Sequence, residues 1–218
     1  DGDGAIDFEE CCRFLKPTEA AAELQVYTTE RCIGLQELQK AMPNLPVEEE
    51  GRLNDPRLRE NFIERIFAFQ RLQALFRTRW TPRQVVAFHT VHKLQLMAHS
   101  TETYRALGRQ VAEIKDAPRT GFRDCYAGQF MLALSRVATP GRNTNVLQHA
   151  AGYFKNHLPS AQRTELSNLI HDYRNGLVPL VVPLTLIRHY ANRYQVAYLQ
   201  GQSFLEPHPR ELMLRNHV

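Results

Sequence analysis

The chain has 218 residues, a length at which a domain buries roughly 70% of the surface that its unfolded chain exposes, so folding requires neither a metal ion nor disulfides. The formal net charge is +4, and the four cysteines include no CxxC pair of the kind that binds zinc or does redox chemistry. Because the sequence has no secretory segment and no run of 18 apolar residues, we expect a cytoplasmic protein without a membrane partner.

The acidic and basic residues are distributed unevenly. Residues 1–50 hold four basic and twelve acidic side chains, a net charge of −8, whereas the remaining 168 residues hold 23 basic and 11 acidic side chains, a net charge of +12. A cationic body is typical of proteins that bind polyanions such as nucleic acid. An ordinary helical protein with a solvated basic surface is the alternative.

The acidic first segment begins with a pattern similar to the back half of an EF-hand calcium loop. The residues of DGDGAIDFEECCRFLK that match loop positions 3, 5, 6, 8 and 12 are Asp1, Asp3, Gly4, Ile6 and Glu10. The loop's first carboxylate has no counterpart, so we expect weak calcium binding at most. An acidic turn before a short helix is the alternative interpretation.

A proline-rich stretch follows and predicts a linker. MPNLPVEEEGRLNDP contains three prolines and a glycine, which interrupt any helix. We therefore divide the chain into an acidic N-terminal segment, residues 1–44, and a helical domain, residues 45–218.

The helical domain has the 3.6-residue period of amphipathic helices. In RLRENFIERIFAFQRLQALF, apolar residues recur every three or four positions. Thr81 followed by Pro82 predicts a helix start, and Gly176 predicts a helix end. Further helices are predicted at about 102–115, 122–138, 143–157 and 160–175.

The C-terminal part contains two prolines four residues apart. We expect residues 177–182 to cross the core in an extended or kinked form and Pro183 to open a final long helix. No alternating strand pattern is present. The sequence therefore predicts an all-α fold, a single helical domain of about six to eight helices.

The helix FHTVHKLQLMAHS carries three histidines within an arc of roughly 80°. His89, His92 and His99 have Lys93 beside them, but no HExxH motif or nearby carboxylate completes a metal site. We expect these side chains to be polar anchors in a groove or partial cations that face an anion.

A second polar group lies in NTNVLQHAAGYFKNHLP, where Asn143, Asn145, His149 and Lys155 suit hydrogen bonding to bases or phosphates. Tyr153 or Phe154 can stack on a base, and at least one of the two belongs to the core. The mid-helix Gly152 predicts a close neighbour, which a packed helix would also explain.

A third group interleaves basic residues with tyrosines in LIRHYANRYQVAYLQGQ. Arg188 and Arg193 lie among Tyr190, Tyr194 and Tyr198, a combination that favours RNA by joint stacking and phosphate pairing. A buried tyrosine stripe with solvated arginines is the alternative.

A fourth group, FRTRWTPR, adds Arg79, Trp80 and Arg83 at a helix junction. By contrast, the sequence lacks GxSxG, GxxxxGK and GxGxxG motifs and has no paired-carboxylate motif. We therefore predict no catalytic residue, no metal and no cofactor.

Several long strings closely resemble the YbgA family, a helical domain of unknown function that often follows a thiouracil-desulfidase domain. The strings are LPVEEEGRLNDPRLRENFIERIF, VVAFHTVHKLQLMAHS, NTNVLQHAAGYFK, DYRNGLVPLVVPLTLIRHY and PHPRELMLRNHV. The resemblance covers about 45–218, with a weaker lead-in from Gly34 that is similar to the last turn of a desulfidase domain.

The resemblance implies a role beside a desulfidase, whose cysteines hold a four-iron four-sulfur cluster and which removes sulfur from thiolated uracil, including thiouridine in tRNA. This chain lacks the cluster-binding cysteines, so any sulfur chemistry would need a partner. We therefore expect an accessory RNA-binding module, with tRNA as the main candidate. The alternatives are a small-molecule enzyme that acts on a thionucleotide in a histidine-lined pocket and a protein-interaction domain.

The RNA-binding hypothesis predicts one positively charged, water-accessible groove that gathers the four polar groups. Its predicted lining is Arg79, Trp80, Arg83, His89, His92, Lys93, His99, Asn143, Asn145, His149, Lys155, Arg188 and Arg193.

Overall fold

A computed structural model describes residues 40, 42, 44–77, 79–209, 212 and 214–217. The half EF-hand pattern lies outside these residues, as does nearly all of the predicted acidic segment 1–44. The domain boundary at residue 45 therefore stays a prediction.

Helices account for all of the regular secondary structure in the described residues. The helices are a 3₁₀-helix (Glu50–Asn54), α1 (Pro56–Phe76), α2 (Pro82–His99), α3 (Thr101–Ala112), α4 (Arg119–Ser135), α5 (Pro140–Gly152), α6 (Ser160–Arg174), α7 (Val181–Arg193) and α8 (Ala197–Gln200). The prediction of an all-α domain with six to eight helices is confirmed. Over the same residues, no helix combines the length and the apolar character that crossing a membrane requires.

Three helices begin with a short polar residue followed by proline. Asp55, Thr81 and Thr139 are the N-caps of α1, α2 and α5, and each side chain accepts a hydrogen bond from a backbone N–H of the first turn. Thr81 also forms a complete capping box with Gln84. The start predicted at Thr81 is confirmed.

The end of α6 is a Schellman motif. Gly176 has a φ of 72°, and the backbone N–H of Leu177 donates to the carbonyl of Asp172 at 2.9 Å. Glycine adopts this left-handed conformation without the steric cost that a Cβ atom imposes. The helix end predicted at Gly176 is confirmed.

The C-terminal helices differ from the prediction in their bounds. Helix α7 begins at Val181, two residues before Pro183, because the first turn of a helix does not use the backbone N–H that proline lacks. The predicted long helix ends at Arg193, where Gln195 takes a φ of 52° and α8 follows as a separate turn. Helix α5 ends at Gly152, and among the described residues no atom beyond the adjacent backbone lies within 4 Å of the position that a Cβ would take there, so the predicted close neighbour of Gly152 is wrong.

The buried apolar side chains form two clusters that share α2. The first cluster contains side chains from helices α1, α2, α3 and α4 and surrounds the fully buried Tyr126. The second contains side chains from helices α5 through α8 and the segment after α8, and it surrounds Phe154. Helix α2 contributes Leu96 to the first cluster and Leu94 to the second. Because it packs between both clusters, α2 is buried on more than one side.

Candidate nucleic-acid interface

Aromatic side chains from the end of α5 and from α8 meet at the surface. Tyr153 is 38% exposed and stacks on Tyr198, with ring centroids 4.8 Å apart and an interplanar angle of 16°. His149, one turn earlier on α5, meets Tyr153 edge to face at 5.6 Å. Both arrangements are favourable for aromatic rings. They hold the exposed ring of Tyr153 in a fixed orientation.

A second aromatic pair lies beside a guanidinium group at the end of α7. The ring centroids of His157 and Tyr194 are 5.7 Å apart, and Cζ of Arg193 is 5.9 Å from the Tyr194 centroid. On α6, Nη1 of Arg163 donates to the carbonyl of Lys155 at 3.0 Å. These contacts connect the segment after α5 with α6 and α7.

We call this surface the tyrosine face. It consists of His149, Tyr153, Lys155, His157, Arg163, Arg193, Tyr194 and Tyr198. Tyr194 and Tyr198 are half-buried, and the others are exposed. The face therefore brings together basic and aromatic residues from the second and third polar groups of the sequence.

Buried aromatic residues support the tyrosine face from below. Phe154 is fully buried and meets Tyr190 edge to face, with ring centroids 5.9 Å apart. The prediction that at least one of Tyr153 and Phe154 belongs to the core is confirmed. Because Phe154 and Tyr190 pack together, the ends of α5 and α7 stay adjacent.

The hydroxyl of Tyr198 stays protonated. Burial and the neighbouring Tyr153 raise the pKa of Tyr198 well above its usual range. A neutral phenol does not repel a phosphate, whereas a phenolate would. Tyr198 therefore remains a suitable ring beside a polyanion over the whole neutral range.

Five of the predicted groove residues are buried rather than exposed. Trp80, His89, His92, His99 and Asn143 are between 2% and 7% exposed. Trp80, His89 and His92 are enclosed by packed side chains, and His99 and Asn143 line only a small cavity that is described below. The expectation that all thirteen residues share one open groove is therefore wrong, and the reason is that α2 and the first turn of α5 pack inside the domain.

Two of these histidines are sealed in apolar surroundings. His92 Nδ1 donates to the carbonyl of Phe88 at 2.7 Å, and His89 Nδ1 lies 3.1 Å from the hydroxyl of Tyr126. The Nε2 atoms of both rings have no hydrogen-bond partner among the described residues. Burial lowers the pKa of each histidine to about 4. Both rings are therefore neutral at pH 7, as polar anchors rather than as cations.

The arginines of the fourth group lie at the other cluster. Arg79 and Arg83 are exposed at the junction of α1 and α2, which packs on the first cluster. Trp80 is buried there, and Arg119 covers its ring with Cζ 5.2 Å from the ring centroid. These arginines therefore form a patch separate from the tyrosine face.

The remaining residues of the predicted groove, Asn145, Lys93 and Arg188, differ in their exposure to solvent. Asn145 is exposed on α5, and Lys93 is half-buried on α2. Arg188 Nη1 forms an ion pair with Glu206 at 3.1 Å, and its side chain is 18% exposed. Its charge is thus partly neutralised within the chain.

A buried ionic network, which the sequence did not predict, lies where the chain end meets α1. Glu64 is 3% exposed and accepts a hydrogen bond from Gln95 at 2.8 Å. Its Oε1 lies 3.4 Å from Nε2 of His99, and its Oε2 lies 3.6 Å from Nη2 of Arg215. Arg215 Nε also pairs with Oε1 of Glu60 at 2.9 Å. We call Glu60, Glu64, His99 and Arg215 the buried ionic network.

The pKa values of the two carboxyl groups in this network are shifted in opposite directions. Burial disfavours the charge of Glu64, but His99 and Arg215 outweigh burial and hold the pKa of Glu64 below its usual range. Burial raises the pKa of Glu60 above its usual range, although Arg215 opposes the shift. Glu64 is therefore the firmly ionised partner.

The ring of His99 lies between two acceptors. Its Nδ1 donates to the carbonyl of Arg136 at 2.6 Å, while Nε2 faces Glu64. These two contacts fix the ring of His99 between α1, which carries Glu64, and the end of α4, which Arg136 caps.

A cavity of about 120 Å³ opens beside this network. Its polar lining is Arg57, Glu60, Asn61, Glu64, His99, Asn143, Tyr173, Arg174 and His217. Apolar walls come from the loop before α5 and from the segment between α6 and α7. Across the described residues, no group of three His, Cys, Asp or Glu side chains is arranged to hold a metal ion.

The sequence of this chain is similar to those of known proteins. The model of the family described as "Protein of unknown function (DUF1722)" matches residues 93–209. "Uncharacterized protein YbgA" of Escherichia coli (strain K12) is 37% identical over 165 residues, which cover 75% of this chain and 98% of that protein. No solved structure matches the chain. The chain therefore belongs to the YbgA family, the family of unknown function DUF1722.

Proposed function

We propose that this protein is an accessory RNA-binding module, with tRNA as the expected ligand, that assists desulfuration of thiolated uracil without an iron–sulfur site of its own. The observation that carries the RNA-binding part is the tyrosine face, where an exposed, oriented aromatic ring lies among basic side chains. The association with a desulfidase rests on the strings that resemble the YbgA family.

The tyrosine face has the two components that unpaired nucleotides require. Tyr153 offers a ring on which a base can stack, an interaction worth about 1–3 kcal/mol per base. Lys155, Arg163 and Arg193 are exposed nearby and can pair with phosphates. The net charge of +12 on residues 51–218 adds long-range attraction to any polyanion.

This combination favours loops and single strands over regular duplexes. Stacking requires a base that is not already stacked between its neighbours, and the groove of an A-form helix hides base faces. A folded RNA with accessible loops, such as tRNA, offers unstacked bases to Tyr153 and phosphates to the basic side chains. The expected target is therefore structured RNA with unpaired positions.

A salt titration with fluorescence anisotropy tests the RNA-binding part. The probes are a labelled tRNA transcript, a labelled RNA duplex of similar length and a neutral polymer. If about five phosphates are contacted, log K should fall against log salt with a slope near −3.5. A salt-independent signal, or equal affinity for the neutral polymer, would contradict RNA binding.

A separate measurement tests the association with a desulfidase. We expect this protein to lower the KM of a desulfidase domain for thiolated tRNA without changing its kcat for free thiouracil. If the two proteins co-purify equally well after ribonuclease treatment and KM is unchanged, a protein-interaction domain is the better description.

A further inference from the structure

The cavity beside the buried ionic network contains an unsatisfied polar atom. Asn143 is 7% exposed and lines the cavity, and its Nδ2 donates to the hydroxyl of Tyr173 at 2.9 Å. Its Oδ1 has no hydrogen-bond donor among the described residues. A buried polar atom without a partner destabilises the fold. A ligand that donates a hydrogen bond to Asn143 would remove this destabilisation.

Acidic and basic side chains face each other at the deep end of the cavity. Glu60 and Glu64 lie against Arg215 and the ring of His99. Carboxylate oxygens and Asn143 therefore line the same cavity. An N–H group, whether of an amine or of an amide, fits this end.

The mouth of the cavity has the opposite character. Arg57 at the start of α1 and Arg174 at the end of α6 both line the cavity, and both are exposed. His217 also lines the cavity, with Nε2 3.4 Å from Oε2 of Glu60. Guanidinium groups are well suited to binding carboxylates. The negative end of a ligand would therefore lie toward Arg57 and Arg174.

The cavity volume limits the size of the ligand. A cavity of about 120 Å³ is comparable to the engineered cavity of about 150 Å³ that binds benzene. This volume fits a molecule of roughly six to nine heavy atoms and is too small to enclose a whole nucleotide. The apolar walls, among them Val137 and Leu180, can cover a short carbon skeleton.

We propose that this cavity binds a small organic carboxylate that bears an N–H donor, of the size of an amino acid or its N-acyl derivative. The N–H group donates to Asn143 Oδ1 in the interior, and the carboxylate pairs with Arg174 and Arg57 at the mouth. The site is separate from the tyrosine face, so it goes beyond the proposed RNA-binding function.

Saturation-transfer NMR on the full 218-residue chain tests this proposal. One probe mixture contains the common L-amino acids, and another contains their N-acetyl derivatives. Acetate and propionate serve as carboxylates without N–H, and ethylamine serves as an amine without carboxylate. We expect transfer to members of one or both N–H carboxylate mixtures and none to the single-function compounds. The mixture that shows transfer tells whether the N–H donor of the ligand is an amine or an amide.

Variants link the binding to the cavity. Arg174→Gln should weaken the binding of a detected compound by about tenfold, the effect of one charged hydrogen bond. Arg163→Gln is the matched control, because Arg163 is an exposed arginine on the same helix that does not line the cavity. Asn143→Leu should weaken binding at least as much, and its folding is checked by circular dichroism.

Three results would overturn the proposal. The first is that no compound in either mixture shows transfer. The second is that propionate or ethylamine binds as well as the N–H carboxylates. The third is that Arg174→Gln binds no more weakly than Arg163→Gln. Because Arg174→Gln changes an exposed side chain, it keeps the test valid even if Asn143→Leu does not fold.

Discussion

The tyrosine face and the buried ionic network use similar polar residue types in opposite ways. At the tyrosine face, charged groups such as Arg193 are exposed and their neighbours are rings. In the network, Arg215 is 5% exposed and bonds to two carboxylates and to the carbonyl of Phe204. Polarity at helical spacing therefore does not tell whether a group meets a ligand or stabilises the fold.

The energetic consequences of the two regions differ accordingly. Removing one member of a buried ion pair leaves an uncompensated charge, which is strongly destabilising. An exposed guanidinium contributes little to folding and is available to a partner. Stability measurements and binding measurements should therefore respond to different residues.

The largest expected effect is on stability, from Arg215→Met. This change leaves Glu60 and Glu64 buried without their shared cation, so the free energy of unfolding should fall by about 3–5 kcal/mol. Urea denaturation followed by circular dichroism measures it. Arg193→Met, an exposed change at the tyrosine face, is the matched control and should stay within about 0.5 kcal/mol. Equal losses in the two variants would remove the distinction between the regions.

The buried histidines His89 and His92 make the free energy of unfolding depend on pH. His89 and His92 have a pKa of about 4 in the fold against 6.5 in the unfolded chain, so protons bind preferentially to the unfolded state. Their contribution is fully present above pH 6.5 and is lost as the pH falls from 6.5 toward 4. The loss is on the order of 3 kcal/mol per histidine.

Urea midpoints between pH 7.5 and pH 4.5 check this prediction. His92→Leu removes one titrating group, so the variant should lose less stability over this range than the unsubstituted protein does. Asn145→Leu, which changes an exposed residue that does not titrate, should leave the pH dependence unchanged. Parallel curves for the unsubstituted protein and His92→Leu would mean that His92 does not resist protonation in the fold.

Much of the fold was predictable because its signals are local. Thr81 followed by Pro82, and Gly176 after α6, specify helix ends through interactions within a few residues. The period of apolar residues gave the fold class in the same way. The burial of at least one of Tyr153 and Phe154 was also predictable, but which of the two is buried was not.

The buried ionic network could not be predicted because its contacts are not local. Arg215 and Glu60 are 155 residues apart, and nothing near either residue identifies its partner. The spacing of Glu60 and Glu64, one helical turn, was the available signal, but an exposed helix face has the same pattern. His99 shows the same limit, since periodicity defines a face of α2 without telling what packs on it.

Tyr153→Ala at the tyrosine face is expected to have a smaller effect than the changes in stability, and this effect is on RNA affinity. Loss of one stacking ring should weaken binding of tRNA by about 1–3 kcal/mol, which is roughly 5- to 150-fold. Tyr153→Phe is the matched control, because it keeps the ring and removes only the hydroxyl, and it should bind nearly as well as the unsubstituted protein. Fluorescence anisotropy at fixed salt measures both variants. If phenylalanine and alanine have the same effect, the ring does not stack on a base.

The smallest expected effect is on the salt dependence of binding, from Arg193→Met. If this guanidinium pairs with one phosphate, its removal should weaken binding a few-fold and make the slope of log K against log salt shallower by about 0.7. Tyr153→Ala should leave that slope unchanged, because stacking releases no counterions. The same titration on Arg83→Met compares the patch at the junction of α1 and α2, where Arg83 is also exposed. A shallower slope for Arg83→Met alone would move the RNA contact to that patch, whereas a change for Arg193→Met alone would keep it at the tyrosine face.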